Sequence, residues 1–178
     1  MGISSCCSRR CPPFTDVAGN YAYIDGANLH KGIEELGWKL GYRRFRVFLR
    51  ERYAVEKAYL FLGFVPQNNA MYRDLENADY ILVFKPTILN AAGEVKGNCD
   101  AELVLQAASD FYEHQFSQAV VVTGDGDFAC LVSFLNARQS LLTVLSPSHS
   151  KCSLLLKRSE VKITFLEELR GALEYKPK

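Results

Sequence analysis

The sequence lacks most of the features that would place a protein at once. Positive and negative charges nearly cancel, 21 Lys and Arg against 20 Asp and Glu, so no global basic field points to nucleic acid or a membrane surface, and such a partner has to be met by a local patch. No apolar run approaches the roughly 18 to 20 residues of a membrane helix, and no signal-peptide core precedes the first strand-like segment. A disulfide framework is missing too: Cys6, Cys7 and Cys11 crowd the start, while Cys99, Cys130 and Cys152 stand singly in globular sequence. The expectation is a soluble cytoplasmic protein with buried thiols at Cys130 and Cys99. Histidine is scarce, and His30, His114 and His149 form no recognisable triad with a serine or cysteine. What is present, 48% hydrophobic and 23% charged residues in a chain of 178, suits one compact domain with a sizeable core.

Residues 1–19 read as a disordered, cysteine-containing leader ending beyond Pro12-Pro13, and residues 20–175 as the domain. Gly2 followed by cysteines is loosely like a lipidation signal, but Cys6 stands where Ser or Thr is usual. Three close cysteines without a fourth ligand nearby make a poor zinc site.

Beyond the leader, apolar strands alternate with helices. Strands are expected at 20–25, 57–65, 80–85, 119–123, 141–145 and 161–165. Helices are expected at 29–36, 42–53, 69–78, 99–114, 128–138, 152–157 and 166–173, with a turn at Asn90 to Gly93. In the 99–114 helix, Ala101, Val104, Leu105, Ala108 and Phe111 mark the apolar stripe, and Glu102, Gln106, Ser109 and Glu113 the opposite one. In the 42–53 helix, Arg43, Arg46 and Arg50 form a basic outer face, suited to follow a strand's phosphates or simply to be solvated. Parallel strands need crossovers, so this order predicts an α/β fold, a three-layer α/β/α sandwich around a mostly parallel sheet. Ligands in such folds bind beyond the carboxyl ends of the strands, at a switch in strand order.

The strand exits are acidic. Asp25 follows the first strand, Asp125 and Asp127 follow the fourth, and the turn Lys96-Gly-Asn-Cys-Asp100 brings a further aspartate to a helix start. Taken singly, Asp25, Asp100 and Asp127 are ordinary helix caps and Asn28 an ordinary turn residue. Taken together, four carboxylates on one rim repel unless cations or protons neutralise them, and hard oxygen donors suit Mg²⁺ or Mn²⁺. Gly124 and Gly126 allow close backbone approach to metal or phosphate. Lys96 is placed to meet a scissile phosphate or the acids.

Asp25-Gly-Ala-Asn28, Lys96-Gly-Asn-Cys-Asp-Ala-Glu102 and Thr123-Gly-Asp-Gly-Asp-Phe128, in this order and after these elements, resemble the NYN domain family, a branch of the PIN-like nucleases, over residues 20 to 170. The resemblance implies an acidic pocket that binds Mg²⁺ or Mn²⁺ for hydrolysis of RNA. Asp25, Asp100, Asp125 and Asp127 are then the catalytic, metal-binding acids, and Asn28 is the polar companion of the first. Thr123 and Gly124 belong to the substrate side with Lys96, Arg43, Arg46 and Arg50. One position departs from the family: Gln106 stands where many members carry a further acid, with Glu102 or Asp110 as candidates to compensate. The implied partner is single-stranded RNA, and fold analogy makes a homodimer reasonable. A catalytically weak RNA-binding or assembly module with the same fold is the alternative. A dehalogenase-like phosphatase is disfavoured because Ala27 occupies the place of its second aspartate, and a Toprim-like site because no glutamate ends the first strand.

Overall fold

The computed structural model describes residues 19–85, 88–89, 95–96 and 99–177, with the two short segments described by their backbone alone. The chain opens with strand β1 (Asn20–Asp25) and passes directly into helix α1 (Gly26–Glu35). Helix α2 (Tyr42–Tyr53) follows, and one left-handed residue, Ala54 with φ 52°, turns the chain into β2 (Val55–Gly63). Next come α3 (Asn69–Glu76), β3 (Ile81–Lys85) and a two-residue antiparallel pair, β4 (Ile88–Leu89) with β5 (Val95–Lys96). The second half runs α4 (Asp100–Tyr112), β6 (Ala119–Val122), α5 (Ala129–Ala137), β7 (Leu141–Ser146), α6 (Leu154–Lys157), β8 (Ile163–Phe165) and α7 (Arg170–Leu173).

The main sheet has six strands in the order β3-β2-β1-β6-β7-β8, and every neighbouring pair is parallel. The chain works outward from β1 to one edge, then returns to β6 and works outward to the other. The switch in strand order therefore falls between β1 and β6, the place where folds of this kind bind ligands at the carboxyl ends of the strands.

Alternation along β1 sorts the helices into two layers. Ala22 and Ile24 pack with Leu29 and Ile33 of α1, Phe45 and Leu49 of α2 and Leu75 of α3. Tyr21 and Tyr23 pack on the other face with Leu103 and Ala107 of α4 and with Leu131, Val132 and Leu135 of α5. Asp25, two residues beyond Tyr23, leaves the strand on the α4 side. This parity brings it to the start of α4.

Two expectations are corrected. The buried side of α4 is Leu103, Ala107 and Asp110, while Leu105 is 68% exposed; the stripe is turned by one residue, about 100° of helix, from the apolar pattern. The physical reason is that Asp110 points inward to a partner, described below, which a pattern counting polar residues as outward does not register. Cys130 is exposed because Leu131, Val132 and Leu135 take the buried side of α5; Cys152 is the buried thiol and Cys99 is half-buried. The leader, apart from Gly19, and the turn expected at Asn90 to Gly93 lie outside the described residues.

Candidate active site

Asp25 ends β1 and caps α1 at the same time. Its Oδ1 accepts from the Asn28 backbone N–H at 3.1 Å, the ordinary bond of a helix cap, and its Oδ2 accepts from Thr123 Oγ1 at 3.3 Å. Thr123 leaves β6 next door, and its Oγ1 also accepts from the Asp125 N–H at 3.1 Å. One buried hydroxyl thus fixes the first carboxylate and the backbone of the second across the switch point. Asn28 completes the link from α1, its Oδ1 accepting from the Gly124 N–H at 2.8 Å. Gly26, directly after Asp25, sits so close to β2 that a Cβ would lie 2.7 Å from the Phe61 carbonyl oxygen, so glycine is required where the strand turns into the helix.

Asp125 caps the 3-10 turn Gly126–Phe128 through Oδ1, which accepts from the Asp127 N–H at 3.1 Å. The cap is Asp125, not Asp127. Asp127 is exposed, its N–H held by that cap. The Asp25 carboxyl is raised above its ordinary value of 3.8, first by burial and then by the negative charges of Asp100 and Asp125, against the lowering effect of the Asn28 and Thr123 hydrogen bonds. Asp25, Asp100 and Asp125 are therefore the acids brought together, with Asp127 on the outside.

This donor set fits a hard divalent cation: it offers only oxygens, and the charges acting on Asp25 are ones that a cation would offset. Among the described residues no three His, Cys, Asp or Glu side chains close into a cage for an ion. Mg²⁺ as a rule keeps several waters and takes one or two carboxylates together with substrate phosphate, so these oxygens would serve it without an all-protein cage.

Several residues expected to touch substrate are committed elsewhere. Thr123 is fully buried, and Gly124 is buried with its N–H given to Asn28 and its carbonyl to the Ser153 N–H at 2.9 Å. Both position the acids from behind. Arg46 is corrected most sharply: it is 5% exposed, and its guanidinium donates to the carbonyls of Val55, Glu56 and Asp79 and to Asp79 Oδ2 at 2.6 Å. Two of these carbonyls lie where β2 begins, at the opposite end of the sheet from Asp25. Arg43 and Arg50 are exposed, but Arg46 between them is buried, so the three do not make one basic outer face. Lys96 has its backbone in β5; its side chain lies outside the described residues.

The position that departs from the family pattern has its own partner. Gln106 Nε2 donates to Asp110 Oδ1 at 2.9 Å, and Tyr23 OH donates to Asp110 Oδ2 at 2.8 Å. Asp110 is 5% exposed, and burial together with this carboxylate pushes the Tyr23 hydroxyl far above its ordinary range. Asp110 thus ties α4 to β1 inside the protein and does not stand in for an acid at the rim. Glu102 is paired with Lys85 at 3.2 Å, at the exit of β3.

Two lysines that the sequence patterns do not single out stand beside the rim. Lys31 shares a helical stripe with Asn28, and Lys151 comes from the loop after β7; both line a cleft that reaches Asn28 and Gly124. The spacing of Asn28 and Lys31, three residues apart, is the available signal for the first. Lys151 has no local signal.

The NYN domain family model matches residues 21–166. A curated relative, the low amplitude and bright protein LabA of Synechococcus elongatus, is 29% identical over 133 residues, covering 70% of this chain and 71% of the relative. Among solved structures, the chain is similar to a protein of unknown function from Vibrio parahaemolyticus, with a TM-score of 0.74 at 20% identity over 90% of this chain and 99% of that one. That likeness is one of fold.

Proposed function

The chain belongs to the NYN domain family, and from that premise we propose that it is a Mg²⁺- or Mn²⁺-dependent ribonuclease acting on single-stranded RNA in the cytoplasm. The observation that carries the reading is the meeting of Asp25, Asp100 and Asp125 at the strand-order switch, with the Asp25 carboxyl raised by burial and by its two acidic neighbours. Asp25, Asp100 and Asp125 would hold the ion, and Asp127 would assist from the outer side. A divalent cation supplies charge to offset the phosphodiester oxygens and lowers the pKa of water it binds.

The protein's own residues do the positioning. Thr123 and the Asn28 backbone fix both oxygens of the Asp25 carboxylate, so its orientation does not have to be found anew for each substrate. Thr123 also holds the Asp125 backbone, and Asn28 holds Gly124, so the two acid-bearing turns are tied to each other. Burial and its two acidic neighbours hold the Asp25 carboxyl above its ordinary value, so a divalent cation would compete there with a proton and would bind better as pH rises through that range. Among the described residues no helix is long and apolar enough to cross a membrane, and the free thiols Cys99, Cys130 and Cys152 agree with a reducing compartment. The homodimer remains a proposal from fold analogy, checked by light scattering of the full chain.

A second reading is favoured by one observation. Gln106 is turned toward Asp110 and adds no acid to the rim, as suits an RNA-binding or assembly module with weak turnover. Labelled single-stranded RNA, structured RNA and single-stranded DNA incubated with Mn²⁺, Mg²⁺ or EDTA separate the two. Metal-dependent cleavage of RNA that disappears in Asp25→Asn and Asp125→Asn is expected. Binding without cleavage would favour the module, and phosphate release from small phosphomonoesters, lost in Asp25→Asn, would favour a phosphatase.

A further inference from the structure

A strand of RNA brings one negative charge per nucleotide to a rim that is itself acidic, so the phosphates flanking the cleaved bond need cations of their own. Arg46 is buried at the other end of the sheet and does not provide one. A cleft of about 240 Å³ does open beside the rim, between α1 and the loop that follows β7. Its α1 wall is Asn28, Lys31, Gly32 and Glu35, spaced i, i+3, i+4 and i+7 and thus on one stripe of the helix. Its floor reaches Gly124, the partner of Asn28.

The opposite wall is braced well beyond what a surface loop requires. Ser146 and Ser148 are fully buried although each carries a hydroxyl. Ser146 Oγ donates to the Ser148 carbonyl at 3.2 Å, and Ser148 Oγ accepts from the Lys151 N–H at 3.2 Å. The Glu167 N–H donates to the Pro147 carbonyl at 3.1 Å, and Glu167 Oε1 accepts from the His149 N–H at 2.7 Å. Gly32 lets the loop close on the helix, since a Cβ there would lie 2.6 Å from Pro147 Cβ. The bracing holds Lys151 across the cleft from Lys31. In this state Lys151 Nζ lies 3.1 Å from Glu35 Oε2, with the two side chains 66% and 40% exposed, a pair too solvated to matter much for stability.

We propose that this cleft binds the RNA phosphate next to the one cleaved, with Lys31 and Lys151 as its cations and Glu35 as the group from which Lys151 is exchanged; the inference rests on the ribonuclease reading. Two lysines against one glutamate leave the cleft net positive beside a net negative rim. That alternation would set the register of the strand, because the cleft shares Asn28 with the cap of Asp25 and Gly124 with the turn that carries Asp125.

The test uses the full chain and a labelled single-stranded RNA with a 5′-hydroxyl, so that every charge is internal. Binding is measured in EDTA over a series of salt concentrations, with cleavage in Mn²⁺ measured in parallel. Lys31→Ala/Lys151→Ala is expected to bind about 10-fold more weakly at low salt, and to flatten the salt dependence by about 0.7 in log–log slope, the amount set by one phosphate that is no longer neutralised. Glu35→Gln is expected to bind about 2-fold more tightly, a direction that a purely structural ion pair would not produce. A single uncharged methylphosphonate linkage, moved along the strand, should at one position beside the cleaved bond abolish the difference between wild type and the double variant. If wild type binds and cleaves RNA and the double variant matches it in affinity and salt slope, or if Glu35→Gln binds more weakly, the cleft is overturned and the ribonuclease reading stands. If wild type neither binds nor cleaves, both fall.

Discussion

The two ends of the sheet handle buried charge in opposite ways. At the end where β2 begins, a single cation, Arg46, is 5% exposed and spends its donors on three backbone carbonyls and the Asp79 carboxylate. At the end where β1 and β6 stop, Asp25 is half-buried and its neighbours Asp100 and Asp125 carry its own sign. The first end closes a turn at Ala54 around its cation; the second holds Asp25 in place with Thr123 and Asn28, beside two charges of its own sign. One end pairs opposite charges, and the other gathers like charges.

The comparison can be broken most forcefully at Arg46. Arg46→Ala removes the partner of the buried Val55 carbonyl and of two part-buried ones, and empties a packed site, so a loss of about 3 kcal/mol in chemical denaturation is expected. RNA affinity of the protein that remains folded should not change. Unchanged stability would mean that the α2–β2 turn does not depend on its cation.

Asp25→Asn should act with the opposite sign on folding. Removing a carboxylate that burial and two like charges disfavour is expected to raise stability by about 1 kcal/mol in the absence of metal, while metal-dependent RNA cleavage falls by at least about 100-fold. A variant both less stable and fully active would show that Asp25 is only a helix cap.

The same contrast has a pH signature. Because the folded-state value of Asp25 is raised, the folded protein holds this proton more tightly than the unfolded chain, and the group's destabilising effect grows as pH rises from its ordinary 3.8 through the raised value. Metal-free wild type should therefore lose ground to Asp25→Asn across that window in paired thermal melts, and the gap should be constant above it. A gap that does not vary with pH would remove the electrostatic account. Saturating Mn²⁺ should narrow it.

A smaller effect is expected at Gln106. Glutamate there would restore an acid to the family position, but its carboxylate would face Asp110 in place of the amide that now donates to it, and a cost of about 1 kcal/mol is expected with no gain in cleavage. Increased cleavage in Gln106→Glu would show that α4 can turn its polar side to the rim.

Much of this architecture is legible in the chain because it depends on local pattern. Val120 to Val122 as a strand, Gly26 and Gly124 at the turns, Asp25 and Asp125 at strand exits and Asp100 at a helix start follow from apolar runs, chain-breaking residues and position relative to them. The rotation of α4 is not legible, because Asp110 is polar by type and buried only through Tyr23, 87 residues away in sequence. Arg46 escapes the pattern for the same reason, since its burial depends on carbonyls of a strand that follows it and on Asp79.

By itself, then, the sequence determined the α/β order, the family and the acids that stand at strand ends, since all of these follow from periodicity and short motifs. Only the tertiary structure decided which polar groups face outward. A hydroxyl becomes structural when a distant carboxylate meets it, as Asp25 meets Thr123, a guanidinium when carbonyls of another element fit it, as with Arg46, and a lysine becomes part of a cleft when a braced loop carries it there, as with Lys151. Those partners are long-range, and no local pattern encodes them.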